Sequence, residues 1–210
     1  METHQLIEKL CNDATPVRPM TSPWLLTAQW LLGFTVYFAL LMALVSPRAD
    51  LFVKLHEPLF LMEILSLVAI VASCALSAAL LSFPDIYQTR CIACLPIVCF
   101  LAFAMVIGVA YRSQGGGMEF HVEDFRCTFF IGLYALLPAI WLFYSIRQYA
   151  STHCVLAASV AVLTSFGIGA LAERLAEQTD SVAHVLPYHY LPMLVVAIIG
   201  PILGRKLLRW

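Results

Sequence analysis

Apolar and polar positions along this 210-residue chain fall into blocks rather than an alternation. Residues 1–23 are polar. Apolar runs then cover about 24–45, 59–82, 91–111, 127–146, 154–172 and 191–203, separated by short polar segments. A helix of roughly 20 apolar residues crosses the hydrocarbon core of a bilayer, and helices satisfy all of their backbone hydrogen bonds internally there. The pattern predicts an all-α polytopic bundle of six transmembrane helices, with both ends on the same side. Trp24 and Trp30 stand near the entry to the first span as interface anchors. Pro138 predicts a kink in the fourth span, and Gly200-Pro201 interrupts the sixth.

The polar first segment carries one weak stripe of its own. Leu6, Ile7 and Leu10 stand at the i, i+1, i+4 spacing of one helix face. Glu2 and Thr3 signal a start, and Pro16 with Pro19 a stop. Such a helix either lies on lipid or binds a partner. Three parts follow: 1–23, a segment with a short amphipathic helix; 24–208, the transmembrane domain; and 205–210, a basic tail.

Composition agrees with the pattern. The chain is 61% hydrophobic and 12% charged, with a mean hydropathy of +0.87, whereas a soluble domain carries about twice that share of charge. The net charge of −1 gives no footprint for nucleic acid. The polar start followed by a long first run does not read as a cleavable signal peptide. Lysine and arginine counts orient the bundle. With the N-terminus inside, Lys9, Arg18, Arg90, Arg147, Arg205, Lys206 and Arg209 face the cytoplasm, against Arg48, Lys54, Arg112, Arg126 and Arg174 outside. Seven against five, with three basic residues just after the last span, predicts both termini in the cytoplasm.

On that topology the titratable groups are lopsided. Asp50, Glu57, Glu63, Glu119, Glu123, Asp124, Glu173, Glu177 and Asp180 lie outside or at the outer edge, with His56, His121, His184 and His189. Of the seven cysteines, Cys127 alone reaches that edge, so it forms no intramolecular disulfide there and is free or paired between two chains. Asp180 and His184 stand at i, i+4 on one helical turn, and His189 approaches from the start of the sixth span. Histidines with carboxylates suit a borderline divalent metal. The competing reading is that the three cap helices and hydrogen-bond within a short polar hairpin, residues 177–189, since their spacing matches no strict ligand motif. The capping reading takes precedence, so no resident cofactor is expected, and a site that responds to a transient divalent metal or an oxidant fits better than one that stores metal. Glu63, about one turn into the second span, must face the bundle or reach the interface. Cys91-Ile-Ala-Cys94 has redox spacing but stands at a helix start without a thioredoxin-type unit, so the two thiols read first as small packing residues. No Ser/His/Asp triad, P-loop or zincin motif is present, and the chain is not expected to be an enzyme. Two alternatives stay open: a metal or small-solute transporter, which would show deep polar residues and broken helices in several spans, and a membrane thiol oxidoreductase using Cys91 and Cys94.

Leu6-Ile-Glu-Lys-Leu10 with Pro16-Val-Arg18, Glu63 with Phe83-Pro84-Asp85, Arg126-Cys127, and Thr179-Asp-Ser181 with His184, His189 and the Gly204–Trp210 end together resemble one family, the bacterial inner-membrane negative regulators of the sigma-F type, six-span anti-sigma factors. Leu6-Ile-Glu-Lys-Leu10 followed by Asp13 and Pro16-Val-Arg18 resembles the family's opening. Glu63, then Phe83-Pro84-Asp85, is similar to its second span and turn. Arg126-Cys127 resembles an arginine–cysteine site, and Thr179-Asp-Ser181, His184, His189, Pro192 and Gly204-Arg205-Lys-Leu-Leu-Arg-Trp210 resemble its end. The resemblance implies a protein that holds an extracytoplasmic-function sigma factor at the membrane until a heavy metal or oxidant is felt outside. Leu6, Ile7, Leu10, Val17 and Arg18 would bind the sigma factor, and Cys127, Asp180, His184 and His189 would sense the stress. A second outer cysteine expected before the Asp-Ser pair is replaced by Glu177-Gln-Thr179. Sensing would then use Cys127 with histidine or carboxylate partners, or join two chains as a homodimer through Cys127.

Overall fold

The computed structural model describes residues 3–13, 21–83, 90–115, 125–149, 151 and 153–208. Within them the chain is helical: α1 (Thr3–Asp13), α2 (Pro23–Val45), α3 (Leu51–Lys54), α4 (Pro58–Leu81), α5 (Arg90–Ala93), α6 (Leu95–Ser113), α7 (Phe125–Ile146), α8 (Cys154–Ala176), α9 (Val182–Val185), a π-helical turn (Leu186–Tyr190) and α10 (Leu191–Leu207). Six segments are long and apolar enough to cross a membrane: 23–45, 58–81, 91–113, 125–146, 154–176 and 182–207. Being even in number, six such spans would bring the start of α2 and the end of α10 to one side.

Five of the six spans match their apolar runs to within a few residues, and the sixth does not. It begins at Val182, so positions 182–190, read as a polar hairpin, belong to a span. Their polar groups are turned into the protein, where hydropathy cannot tell them from a loop: Tyr188, His189 and Tyr190 are all buried. Pro138 sits inside α7, which continues helical on both sides of it.

α4 and α8 form the centre. α8 packs against α4, α7 and α10, and α4 also packs against α2 and α6. Both helices bring small buried residues to one core cluster: Ala75, Ala78 and Ala79 on α4, and Ala157, Ala158 and Ala161 on α8. Lipid gives helices no hydrophobic drive to associate, so close approach of backbones at small residues supplies the packing. The outer helices turn large apolar side chains outward, among them Leu32, Leu40, Leu101, Met105, Phe129, Leu137 and Ile198, each more than half exposed. So much continuous apolar surface is untenable in water and suited to lipid. Polar ties join the outer helices to their neighbours: Trp30 Nε1 donates to Ser145 Oγ at 3.0 Å and Tyr37 donates to the Tyr134 carbonyl at 2.7 Å.

The contact of α10 with α8 runs through Gly200 and Gly204. A Cβ at Gly200 would stand 2.5 Å from Ser159 Cα, and one at Gly204 2.5 Å from the Cys154 carbonyl oxygen. Backbone cannot yield as a side-chain tip can. Gly204→Leu is expected to cost about 1–3 kcal/mol by overpacking, read as a fall of several degrees in the Tm of detergent-solubilised protein. Ile202→Leu, at an exposed position on the same helix, should leave Tm unchanged.

α1 forms over the stretch expected to be helical, and Ile7 on it is half exposed. Among the described residues the helix makes no extensive contact with the bundle. The side chains of Leu6 and Leu10 lie outside the described residues, as do Pro16, Val17, Arg18, Pro19, Pro84, Asp85, Glu119, His121, Glu123, Asp124 and Trp210.

Candidate functional site

Connectors at the end of the bundle away from the chain termini are laced together. Arg48 N–H donates to the Leu175 carbonyl at 2.9 Å, joining the 46–57 connector to the end of α8. Gln114, after α6, receives Val182 N–H at 2.8 Å and donates to the Asp180 carbonyl at 3.1 Å. Two groups of polar side chains collect on this scaffold.

The first group is built around Asp180. Arg48 reaches its two oxygens at 2.7 and 3.1 Å, Lys54 Nζ lies 2.9 Å from Oδ2, and Arg174 lies 3.2 Å from Oδ1. Arg48 also pairs with Asp50 at 2.6 Å. Arg174, on the last turns of α8, turns its other edge to Glu63 of α4, at 2.8 and 3.3 Å. Tyr190 donates to the same Glu63 oxygen. Phe60 lies under the Arg174 guanidinium, 4.7 Å from ring centroid to Cζ. Glu63 thus faces the bundle, where a buried carboxylate must be paired. The Glu63–Arg174 pair joins residues 111 positions apart, which periodicity could not find.

Asp180 is therefore not where the sequence put it. Val182 opens α9, with Ser181 as its cap, so Asp180 precedes the helix and shares no helical turn with His184. Three cations hold it instead. Burial pushes its carboxyl up, but the hydrogen bonds from Arg48 and Lys54 and the charge of Arg174 outweigh burial and hold it below the usual carboxylate range. Arg48 and Lys54 are in turn pushed up by their carboxylate partners. A carboxyl depressed in the folded state stabilises that state above its unfolded pKa, near 3.9, and loses this contribution as pH falls toward its folded value. Thermal stability in detergent is expected to decline from about pH 4 downward, and Asp180→Asn, less stable at neutral pH, should show a shallower decline, measured as Tm against pH.

The second group holds the rest. Cys127, on the first turn of α7, has its Sγ 3.7 Å from Glu177 Oε1 and 3.7 Å from His184 Nε2. His184 Nε2 is 3.0 Å from Glu177 Oε1, and His189 Nε2 is 2.8 Å from Glu177 Oε2. One donor atom from each of these four residues lies within 4.8 Å of every other. His189 is fully buried. Its approach to Glu177 Oε2 is off the line of a hydrogen bond, and neither of its ring nitrogens makes one among the described residues. Burial pushes the Glu177 carboxyl up, but the facing imidazoles of His189 and His184 outweigh it and keep the carboxyl below its ordinary value.

Local structure explains why two histidines five apart meet. On an α-helix, positions i and i+5 diverge by about 140°. The chain closes an i→i+5 turn here, with Leu191 N–H donating to the Leu186 carbonyl, and this wider turn brings the His184 and His189 rings to 5.7 Å between centroids. Such turns recur at functional sites. The same turn aims the next residue, Tyr190, the other way, at Glu63.

Three of the four sensing residues expected from the sequence thus come together, Cys127, His184 and His189. Glu177 takes the place of Asp180. Glu63, Arg48 and Arg174 complete the arrangement, and the only earlier sign of them was Glu63 at an apolar depth. Elsewhere, Cys91 and Cys94 are exposed, and no disulfide joins any two cysteines among the described residues. Among the described residues the buried charged side chains are Arg48, Glu63, Glu173 and Arg174, all at this one end.

Comparison with curated proteins gives no match, and comparison with solved structures gives none either. The family model described as negative regulator of sigma F matches residues 10–210, nearly the whole chain. An all-helical chain with six membrane-length spans, carrying that match from α1 to its last residue, belongs to the negative regulators of sigma F.

Proposed function

We propose that this chain is a membrane-embedded anti-sigma factor of the bacterial inner membrane. It would hold an extracytoplasmic-function sigma factor at its cytoplasmic face and release it when a heavy metal or an oxidant acts at the periplasmic face. The observation that carries the stress-sensing part is the Cys127–Glu177–His184–His189 group at the end of the bundle opposite the termini. A thiol with imidazole and carboxylate neighbours is open to soft and borderline metals, and a thiol at a helix end is open to oxidants. Family membership supports a sigma factor as the partner. The N-terminal segment is the natural anchor for it, because Ile7 is exposed and, among the described residues, α1 makes no extensive contact with the bundle. Leu6 and Leu10 share the helix, and Val17 and Arg18 follow it.

A signal on one side can change the other only by biasing two arrangements of the spans. The π-turn suits that part, since it carries His189 toward Cys127 and Tyr190 toward Glu63. No catalytic machinery is part of this reading. Transport gains no support among the described residues, whose buried charges sit at one end rather than along a path.

The test is a detergent pull-down from the native bacterium, read by mass spectrometry with and without cadmium or chromate. A sigma factor recovered in resting cells and lost under stress is the expected result. No sigma factor in either condition would sink the regulator reading.

A further inference from the structure

We propose that Cys127, Glu177, His184 and His189 form a four-donor binding site for a single divalent metal ion of the zinc and cadmium class. This deepens the proposed function, resting on it for the meaning of the ion as a signal, though not for the binding itself.

The geometry is the first support. Ligand atoms held tetrahedrally at about 2.0–2.3 Å from a metal lie about 3.3–3.8 Å from one another. The four short separations here are 2.8, 3.0, 3.7 and 3.7 Å. The remaining donor pairs lie within 4.8 Å, so shifts of up to about 1 Å bring the four donors around one ion. The donor set is the second. One sulfur, two imidazole nitrogens and one carboxylate oxygen suit zinc and cadmium and disfavour magnesium and calcium, which take oxygen alone.

The third support is His189 itself. An imidazole at zero exposure whose ring nitrogens make no hydrogen bond among the described residues is expensive, and hydrogen bonds among the other three residues do not relieve it. A cation between Nε2 and Glu177 would. Binding needs the thiolate, so the Cys127 proton passes to solvent as the metal enters, and affinity rises with pH. The anionic Asp180 stays with its three cations and takes no part. The π-turn gives the site its selectivity in form, because the two histidines reach one ion only while that turn is wide.

The test uses the full-length protein in detergent, stripped with a chelator and titrated with cadmium. The readouts are bound metal per chain and the ultraviolet thiolate-to-cadmium absorption. One equivalent with that absorption is expected. Cys127→Ser should lose both, while Cys91→Ser with Cys94→Ser should keep them. Glu177→Gln and His189→Gln should each weaken binding at least about tenfold, since even outer partners of metal ligands cost that much. Glu177 lies on a connector, so Glu177→Gln reports on the site if the bundle dislikes a change at buried His189. Zinc should displace the cadmium. A wild type that binds no cadmium overturns the proposal, as does binding that survives Cys127→Ser or is unchanged in both Glu177→Gln and His189→Gln. A failure here with cadmium-driven release of the sigma factor intact would remove the site and leave the regulator. Binding with no sigma factor recovered would do the opposite.

Discussion

Replacing Glu63 by alanine is expected to cost the folded protein about 3–5 kcal/mol, the usual loss when one partner of a buried ion pair is removed. The Arg174 side chain is 4% exposed and that of Glu63 10%, so the orphaned guanidinium would have little water to turn to. Asp180 would retain it on one edge, but Asp180 already serves Arg48 and Lys54. Tyr190 would lose its acceptor as well. At about 2–4 °C per kcal/mol for a chain of this size, the Tm of detergent-solubilised Glu63→Ala should fall by roughly 10 °C, and the protein should accumulate poorly. Glu63→Gln keeps the shape and an acceptor for Tyr190, and should lose less. The informative variant is the double one, Glu63→Leu with Arg174→Met. Buried pairs exchanged for apolar groups of similar volume are often neutral, so the double variant should recover most of the loss. Recovery would mean that the pair is kept for something other than stability. A double variant as unstable as Glu63→Ala would make the pair a structural brace and nothing more.

What the sequence disclosed and what it hid divide along a physical line. Span boundaries at 23–45, 58–81 and 154–176 are legible because transfer to hydrocarbon depends on local composition, which a short window samples fully. The start of the sixth span escaped because Tyr188, His189 and Tyr190 are buried against partners supplied by other helices. A window sees only that they are polar. The same limit explains Asp180. Its i, i+4 relation to His184 assumed a helix through both, whereas Ser181 caps the helix after Asp180. Glu177 went unchosen because its spacing of seven from His184 means a shared face only on one continuous helix, and α8 ends at Ala176 before α9 opens at Val182. The turn that makes 184 and 189 neighbours has no signature in residue type. Glu63 was the exception: an acid at apolar depth announces that a partner exists, though not that the partner is Arg174.

Cys127→Ser is expected to abolish release of the sigma factor by cadmium while leaving resting retention unchanged, so that stress induction drops by at least about tenfold toward its basal level. Cys91→Ser with Cys94→Ser should leave induction intact, and the thiol oxidoreductase alternative requires the reverse. The size of the effect follows from the thermodynamics of a two-state bundle. Carrying the population from nearly all retaining to nearly all releasing requires the metal to prefer the releasing state by about 10⁴-fold. A more modest tenfold release corresponds to a coupling of about 1.4 kcal/mol. Coupling is reciprocal: if cadmium weakens sigma binding tenfold, bound sigma factor must weaken cadmium binding tenfold. The check is made with purified components, by titrating cadmium into the protein alone and into its complex with the sigma factor. Equal cadmium affinity in the two, together with release in cells, would mean that the metal acts elsewhere. Unequal affinity in the wild type that vanishes in Glu63→Gln would place the ion pair between α4 and α8 on the route from Cys127 to the face that holds the sigma factor.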